Sequence, residues 1–147
     1  MTDARPLGVL FLCTGNSARS QIAEALLVTM GRGRFRVGSA GTKPAERVNP
    51  GAIAVLCDHG IDWVGRRPKT IDEIHDEPWD LVITVCDDAK ESCPVFPGHP
   101  TFAHWGMPDP AAVDDGAART QAFRETYETL RERIERFLSE RPSVPAP

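Results

Sequence analysis

The segment Leu7-Gly8-Val9-Leu10-Phe11-Leu12 carries no polar side chain and runs directly into Cys13-Thr14-Gly15-Asn16-Ser17-Ala18-Arg19-Ser20-Gln21. A strand with one solvated face alternates apolar and polar residues, and this run does not. It fits a strand covered on both faces, the kind found where helices wrap a parallel sheet. After the turn the period changes. Ile22, Ala23, Leu26, Leu27 and Met30 recur at helical spacing, with Gly31 as the candidate C-terminal cap. A buried strand, a tight turn and an amphipathic helix make the first half of a crossover unit.

The rest of the chain repeats that alternation. Phe35–Ser39 reads as a second strand. Residues 51–59 read as a helix with Ile53, Leu56 and Cys57 on its apolar face and Gly60 just past its end. Leu81–Val85 is a third buried strand running into Cys86, and Thr101–Trp105 a fourth. In the last helix Phe123, Tyr127, Leu130, Ile134 and Phe137 follow at steps of four and three. The pattern predicts an α/β fold: a parallel sheet with helices on both faces and right-handed crossovers. At 147 residues one core suffices. A single domain is expected over residues 1–140, with 141–147, rich in proline, as a flexible tail.

Charge and leader signals narrow the function classes. With a net charge of −4 the chain is a poor partner for a nucleic-acid backbone, so none is expected. The first residues have no apolar core of a signal sequence, and no run is long enough for a membrane span, so a cytoplasmic monomer with no membrane partner is expected. In that compartment the four cysteines read as thiols, catalysts or metal ligands. The basic cluster Arg66-Arg67-Pro68-Lys69 reads as a solvated loop.

Ligands of open α/β sheets gather at the carboxyl ends of the strands. Cys13, Cys86 and the turn Pro108-Asp109-Pro110 all follow predicted strands, so all three should lie at that edge. Between Cys13 and Arg19, the small residues Thr14, Gly15, Ser17 and Ala18 allow consecutive backbone N–H groups to converge as an anion nest. Asn16 suits a loop-fixing role, and Ser20 can donate to the sulfur. The following helix adds its positive end, and Arg19 can fork two hydrogen bonds to a tetrahedral oxyanion. Each feature favours a thiolate, so a lowered Cys13 pKa is expected. The alternative is a buried strand-end cysteine beside a surface arginine.

The stretch "VLFLCTGNSARSQIAEALL", with "GSAGT" (38–42), "HGID" (59–62) and "HWGMPDPA" (104–111), resembles the low-molecular-weight protein tyrosine phosphatase superfamily, and within it the thioredoxin-coupled arsenate reductases. The resemblance spans nearly the whole chain. It implies a four-stranded sheet of order 2-1-3-4, Cys13 as nucleophile, Arg19 as oxyanion clamp and Asp109 as general acid. A proton donor at Asp109 also makes chemical sense, because a leaving oxygen needs a proton at neutral pH.

Phosphatase and reductase share these parts, and "VCDDAKESCP" (85–94) separates them. Reducing arsenate to arsenite takes two electrons, which a thiol pair supplies on forming a disulfide. Cys86 can attack Cys13 in an arsenic adduct, and Cys93 can then take the disulfide from Cys13–Cys86 to Cys86–Cys93. A helical 87–93 would hold the last two about 10 Å apart, so the segment must unwind. Other readings make Cys86 a buried small side chain and Cys93 a passenger, or join both to His99 and His104 as a metal site, whose first spacing is too open for a zinc knuckle. No metal and no cofactor is expected. Thioredoxin is the expected reductant, since two resolving cysteines end in an intramolecular disulfide. Asp109-Pro110 is followed by Ala111-Ala112-Val113 and not by the aromatic residues typical of the phosphatases, which suits a small inorganic anion. Some members of the superfamily bind potassium through side chains corresponding to Asn16, Glu24 and Ser39. Basic residues from Arg67 to Lys69 stand where further ligands belong, which suggests that the Lys69 ammonium replaces the ion.

Overall fold

A computed structural model describes residues 6–86 and 96–140. Four parallel strands form the sheet in the order β2-β1-β3-β4, as expected. β1 (Leu7–Cys13) is central and buried from Gly8 onward, flanked by β2 (Phe35–Gly41) and β3 (Leu81–Thr84). β4 (Thr101–His104) closes the far edge. The uninterrupted apolar run of β1 is explained by that position: it has a strand on each side, α1 packs on it, and every residue from Gly8 to Cys13 is buried.

The register sets the working edge. Cys13 pairs with Gly41 on β2, while Leu12 pairs with Thr84 on β3 and accepts the Val85 N–H at 2.9 Å. Cys86 therefore lies level with Thr14, one residue beyond Cys13. A close approach makes Gly41 necessary: a Cβ there would sit 2.5 Å from the Thr14 carbonyl oxygen and 3.0 Å from the Asn16 nitrogen.

Three elements differ from their sequence patterns. α1 (Arg19–Gly31) is buried on all sides from Ser20 to Leu27, because the sheet, two helices and a loop enclose it. Its polar residues Gln21 and Glu24 are buried as a result. Gly31 is its last residue and accommodates the Phe35 ring; Arg32 and Gly33 take the left-handed conformations that end the helix. α2 (Pro50–Asp58) starts on an Asn49 cap and buries Ala52, Val55 and Leu56, leaving Cys57 exposed. The expected core role of Cys57 is thus corrected: the helix turned about one residue against the predicted stripe.

A short α3 (Ile71–Ile74), absent from the sequence reading, starts on a capping box between Thr70 and Glu73. The last helix, α4 (Gly116–Glu140), buries Phe123, Tyr127, Leu130, Ile134 and Phe137 as patterned and packs on α1 and α2. No helix among the described residues is long and apolar enough to cross a membrane. Cys93, the 87–93 segment expected to unwind and the tail from 141 lie outside the described residues.

Candidate active site

The turn from Cys13 to Arg19 owes its shape to the pairing of its carbonyls. Those of Cys13, Thr14, Gly15 and Ser17 accept the backbone N–H groups of Thr42, Lys43, Ala45 and Asn49 at 2.8–3.2 Å. The Asn16 carbonyl accepts from Gln21 Nε2 at 3.0 Å, and that of Ala18 from Ile22 N at 2.9 Å. Because a trans peptide points its N–H opposite to its C=O, this turns the N–H groups of residues 14–19 toward the interior of the loop. The Asn16 N–H reaches the Cys13 sulfur at 3.2 Å. A ring of inward N–H dipoles around a thiol is an anion nest.

Asn16 is the pivot. It takes a left-handed backbone (φ 50°), which asparagine tolerates better than most residues. Its Oδ1 accepts the Lys69 N–H at 2.8 Å, which fixes Nδ2 toward Ser20 and Ser39, both at 2.8 Å. Each serine oxygen then accepts from Asn16, leaving its own proton to point onward. Ser20 points at Cys13 Sγ, 2.8 Å away, and Ser39 donates to Glu24 Oε1 at 2.6 Å. The Lys69 ammonium stands 3.9 Å from Glu24, so Lys69 is not the solvated residue the basic cluster suggested. Glu24 is raised above the usual carboxylate range by burial, with Ser39, Lys69 and Arg66 pulling it back.

Cys13 is only 2% exposed, and this reverses one expectation. Burial pushes its thiol above the ordinary value, against the pull of the Ser20 hydroxyl, the Ser20 and Asn16 backbone N–H groups and Arg19. The stabilising groups are where the sequence suggested. Desolvation outweighs them.

The opposite wall comes from β3 and the loop after β4. An open pocket of about 770 Å³ is lined by Thr14, Arg19, Cys86 and residues 106–109. The Arg19 guanidinium donates to the Met107 carbonyl at 3.1 Å and stands 3.7 Å from the Asp109 carboxylate. Asp109 also accepts the Ala111 N–H at 3.0 Å and is 42% exposed. Cys86 is buried, and its sulfur lies 3.2 Å from the Thr14 hydroxyl, at the rim of the loop. The structure brings Cys13, Thr14, Gly15, Asn16, Ser17, Ala18, Arg19, Ser20, Cys86 and Asp109 together. Chemically, it can hold a tetrahedral oxyanion over a sulfur nucleophile, with a second thiol and a carboxyl group at the rim.

Four contributors were absent from the sequence reading: Gly41, Gln21, Trp63 and the 42–49 segment. Gln21 and Trp63 act through side-chain hydrogen bonds, but the fold alone decides that they are buried beside the turn, so their residue types gave no signal. The 42–49 segment acts through its main chain, which leaves no signature in residue type.

A family model described as low molecular weight phosphotyrosine protein phosphatase matches residues 8–143. An arsenate reductase of Bacillus licheniformis is 38% identical over 130 residues, 88% of this chain and 93% of that protein. Among solved structures, an arsenate reductase in an oxidised state is 30% identical with a TM-score of 0.77, covering 90% of this chain and 97% of its own. A thioredoxin-dependent arsenate reductase of Corynebacterium glutamicum is 28% identical with a TM-score of 0.71, over 95% of this chain and 66% of its own.

Proposed function

The chain belongs to the low-molecular-weight phosphotyrosine protein phosphatase family, and from that premise we propose that it reduces arsenate to arsenite, using Cys13, Cys86 and Cys93 in turn and thioredoxin as reductant. The observation that carries the reading is the second thiol: Cys86 Sγ sits 3.2 Å from Thr14 Oγ1, on the rim of the oxyanion loop. Phosphate ester hydrolysis has no use for it.

Arsenate docks in the loop with its charge on Arg19 and the N–H groups, and an arsenate oxygen takes the Cys13 proton. The Cys13 thiolate attacks arsenic(V), and Asp109 protonates the oxygen that leaves as water. Cys86, its proton passing to the Asp109 carboxylate left by the first step, then attacks the Cys13 sulfur. The sulfur–arsenic bond breaks with its electron pair on arsenic, which departs as arsenite and leaves the Cys13–Cys86 disulfide. Cys93 attacks Cys86, frees Cys13 as a thiolate and forms Cys86–Cys93, which a thioredoxin dithiol reduces. Two thiols are oxidised and one arsenic(V) becomes arsenic(III), so electrons balance.

Stoichiometric arsenate added to reduced protein should consume two thiols per chain and release one arsenite. Loss of no thiols, with hydrolysis of an aryl phosphate, would favour a phosphatase working through a Cys13 phospho-enzyme. The shared Arg19–Asp109 geometry supports that second reading. Cys86→Ser and Cys93→Ser should each block turnover while leaving any ester hydrolysis in place.

A further inference from the structure

Gln21 is wholly buried in the first turn of α1 and makes four hydrogen bonds, none to solvent. Its Nε2 donates to the Asn16 carbonyl at 3.0 Å, to Asn16 Oδ1 at 3.2 Å and to the Arg67 carbonyl at 3.4 Å. Its Oε1 accepts from Trp63 Nε1 at 2.8 Å. The indole nitrogen can only donate, so the amide has one orientation: oxygen toward Trp63, nitrogen toward Asn16. Trp63 is itself 3% exposed, with the Arg66 guanidinium 3.9 Å above its ring.

Other carbonyls of the loop are paired by main-chain N–H groups, whereas the Asn16 carbonyl depends on this side chain. Asn16 is also the residue in the left-handed conformation, where the chain reverses so that its neighbours' N–H groups converge. We propose that Gln21 is a positioning residue for the oxyanion loop, oriented by Trp63: it holds the Asn16 peptide and so sets the cradle that receives the substrate anion. This rests on reading that loop as the oxyanion site.

The probe is inorganic phosphate, a tetrahedral oxyanion that takes no electrons, titrated calorimetrically into the fully reduced full-length protein. Gln21→Leu keeps the bulk and removes the donors, and should weaken phosphate binding about tenfold, the scale of one lost bond to a buried carbonyl. Its kcat/KM for arsenate should fall in parallel. Trp63→Phe keeps the aromatic packing, frees the amide to turn over and should weaken binding about threefold, a fraction of one such bond. In Trp105→Phe, which lacks the indole next to pocket residues 106–109, added phosphate should change the tryptophan emission, and adding Trp63→Phe, which leaves Trp79, should abolish that change. If Gln21→Leu and Trp63→Phe both bind phosphate like the wild type, or if the emission change persists in the Trp63→Phe/Trp105→Phe double variant, the proposal is overturned. Should Gln21→Leu not fold, the affinity of Trp63→Phe decides. A wild type that binds phosphate but spends no thiols on arsenate would refute the reductase reading and leave Gln21 in place. One that binds neither anion would overturn both.

Discussion

On the Cys13 side of the pocket, every carbonyl from Cys13 to Ala18 has a donor, and Asn16, Ser20 and Gln21 are wholly buried. On the other side, the Asp109 carboxylate is 42% exposed, held by one backbone N–H and a 3.7 Å approach of Arg19. Under the proposed function the difference follows from what each side would do. An anion is bound well by dipoles that need no rearrangement, so the cradle is fixed before the ligand arrives. Under the proposed mechanism a proton donor must meet groups that come and go, and the lightly held Asp109 carboxylate permits it.

Substitutions on the two walls should therefore fail differently. The largest effect is expected for Cys13→Ser: arsenite formation should drop by at least about 10⁴-fold, and arsenate should consume no thiols. Asp109→Asn should slow arsenite formation by about 10³-fold while phosphate binding, measured calorimetrically, stays close to wild type. Equal losses of binding and rate would show that the lightly held wall also shapes the cradle.

The next test bears on the thiol. Ser20→Ala removes the strongest of the groups that oppose burial, so the Cys13 thiol should rise further and the pH–rate profile of arsenate-dependent thiol loss should move to higher pH. Stability carries the same sign. With the folded thiol raised, its contribution is complete below the unfolded thiol range of about 8.5 and is lost as pH rises through the folded value. Denaturation midpoints of the wild type should fall above that range, and those of Cys13→Ser should fall less.

A smaller effect concerns Lys69. Glu24 is raised by burial, so its contribution is present below about pH 4.3 and lost as pH climbs through the folded value. Lys69→Met removes a charge that offsets this, and with the pair 3.9 Å apart and Lys69 partly exposed it should cost about 1 kcal/mol at pH 7. The deficit against wild type should shrink as the pH is lowered. If the Lys69 ammonium stands in for a metal cation beside Glu24, turnover should be unchanged when potassium is replaced by choline. Activation by potassium would break that reading.

Much of this plan was legible in the residues. Apolar runs marked β1 and β3, because burial on both faces leaves a continuous apolar signature, and the alternation of strands with helical periods placed β2, the half-exposed β4 and the long helix around them. The turn from Cys13 to Ser20 was legible as a candidate site because small residues, a thiol and a guanidinium fork stand there in close order. Three things were not. Whether α1 had a solvated face depended on what covered Gln21 and Glu24, which their residue type does not record. The direction of the Cys13 shift is a balance between desolvation and several donors, and a sequence displays the donors but not the desolvation. The part played by Gly41 emerges only when Thr14 and Asn16 are seen to pass within 3.0 Å of its missing side chain.

The bonds from residues 42–49 to the loop are made by main-chain N–H groups, while Lys43 and Ala45 turn their side chains to solvent. A mould of this kind is written in peptide bonds and not in the amino-acid alphabet. Most replacements at these two positions would leave the cradle intact, and proline, which lacks the hydrogen, would be the exception at each. The shape of the Cys13–Arg19 loop is thus insulated from drift in the segment that imposes it.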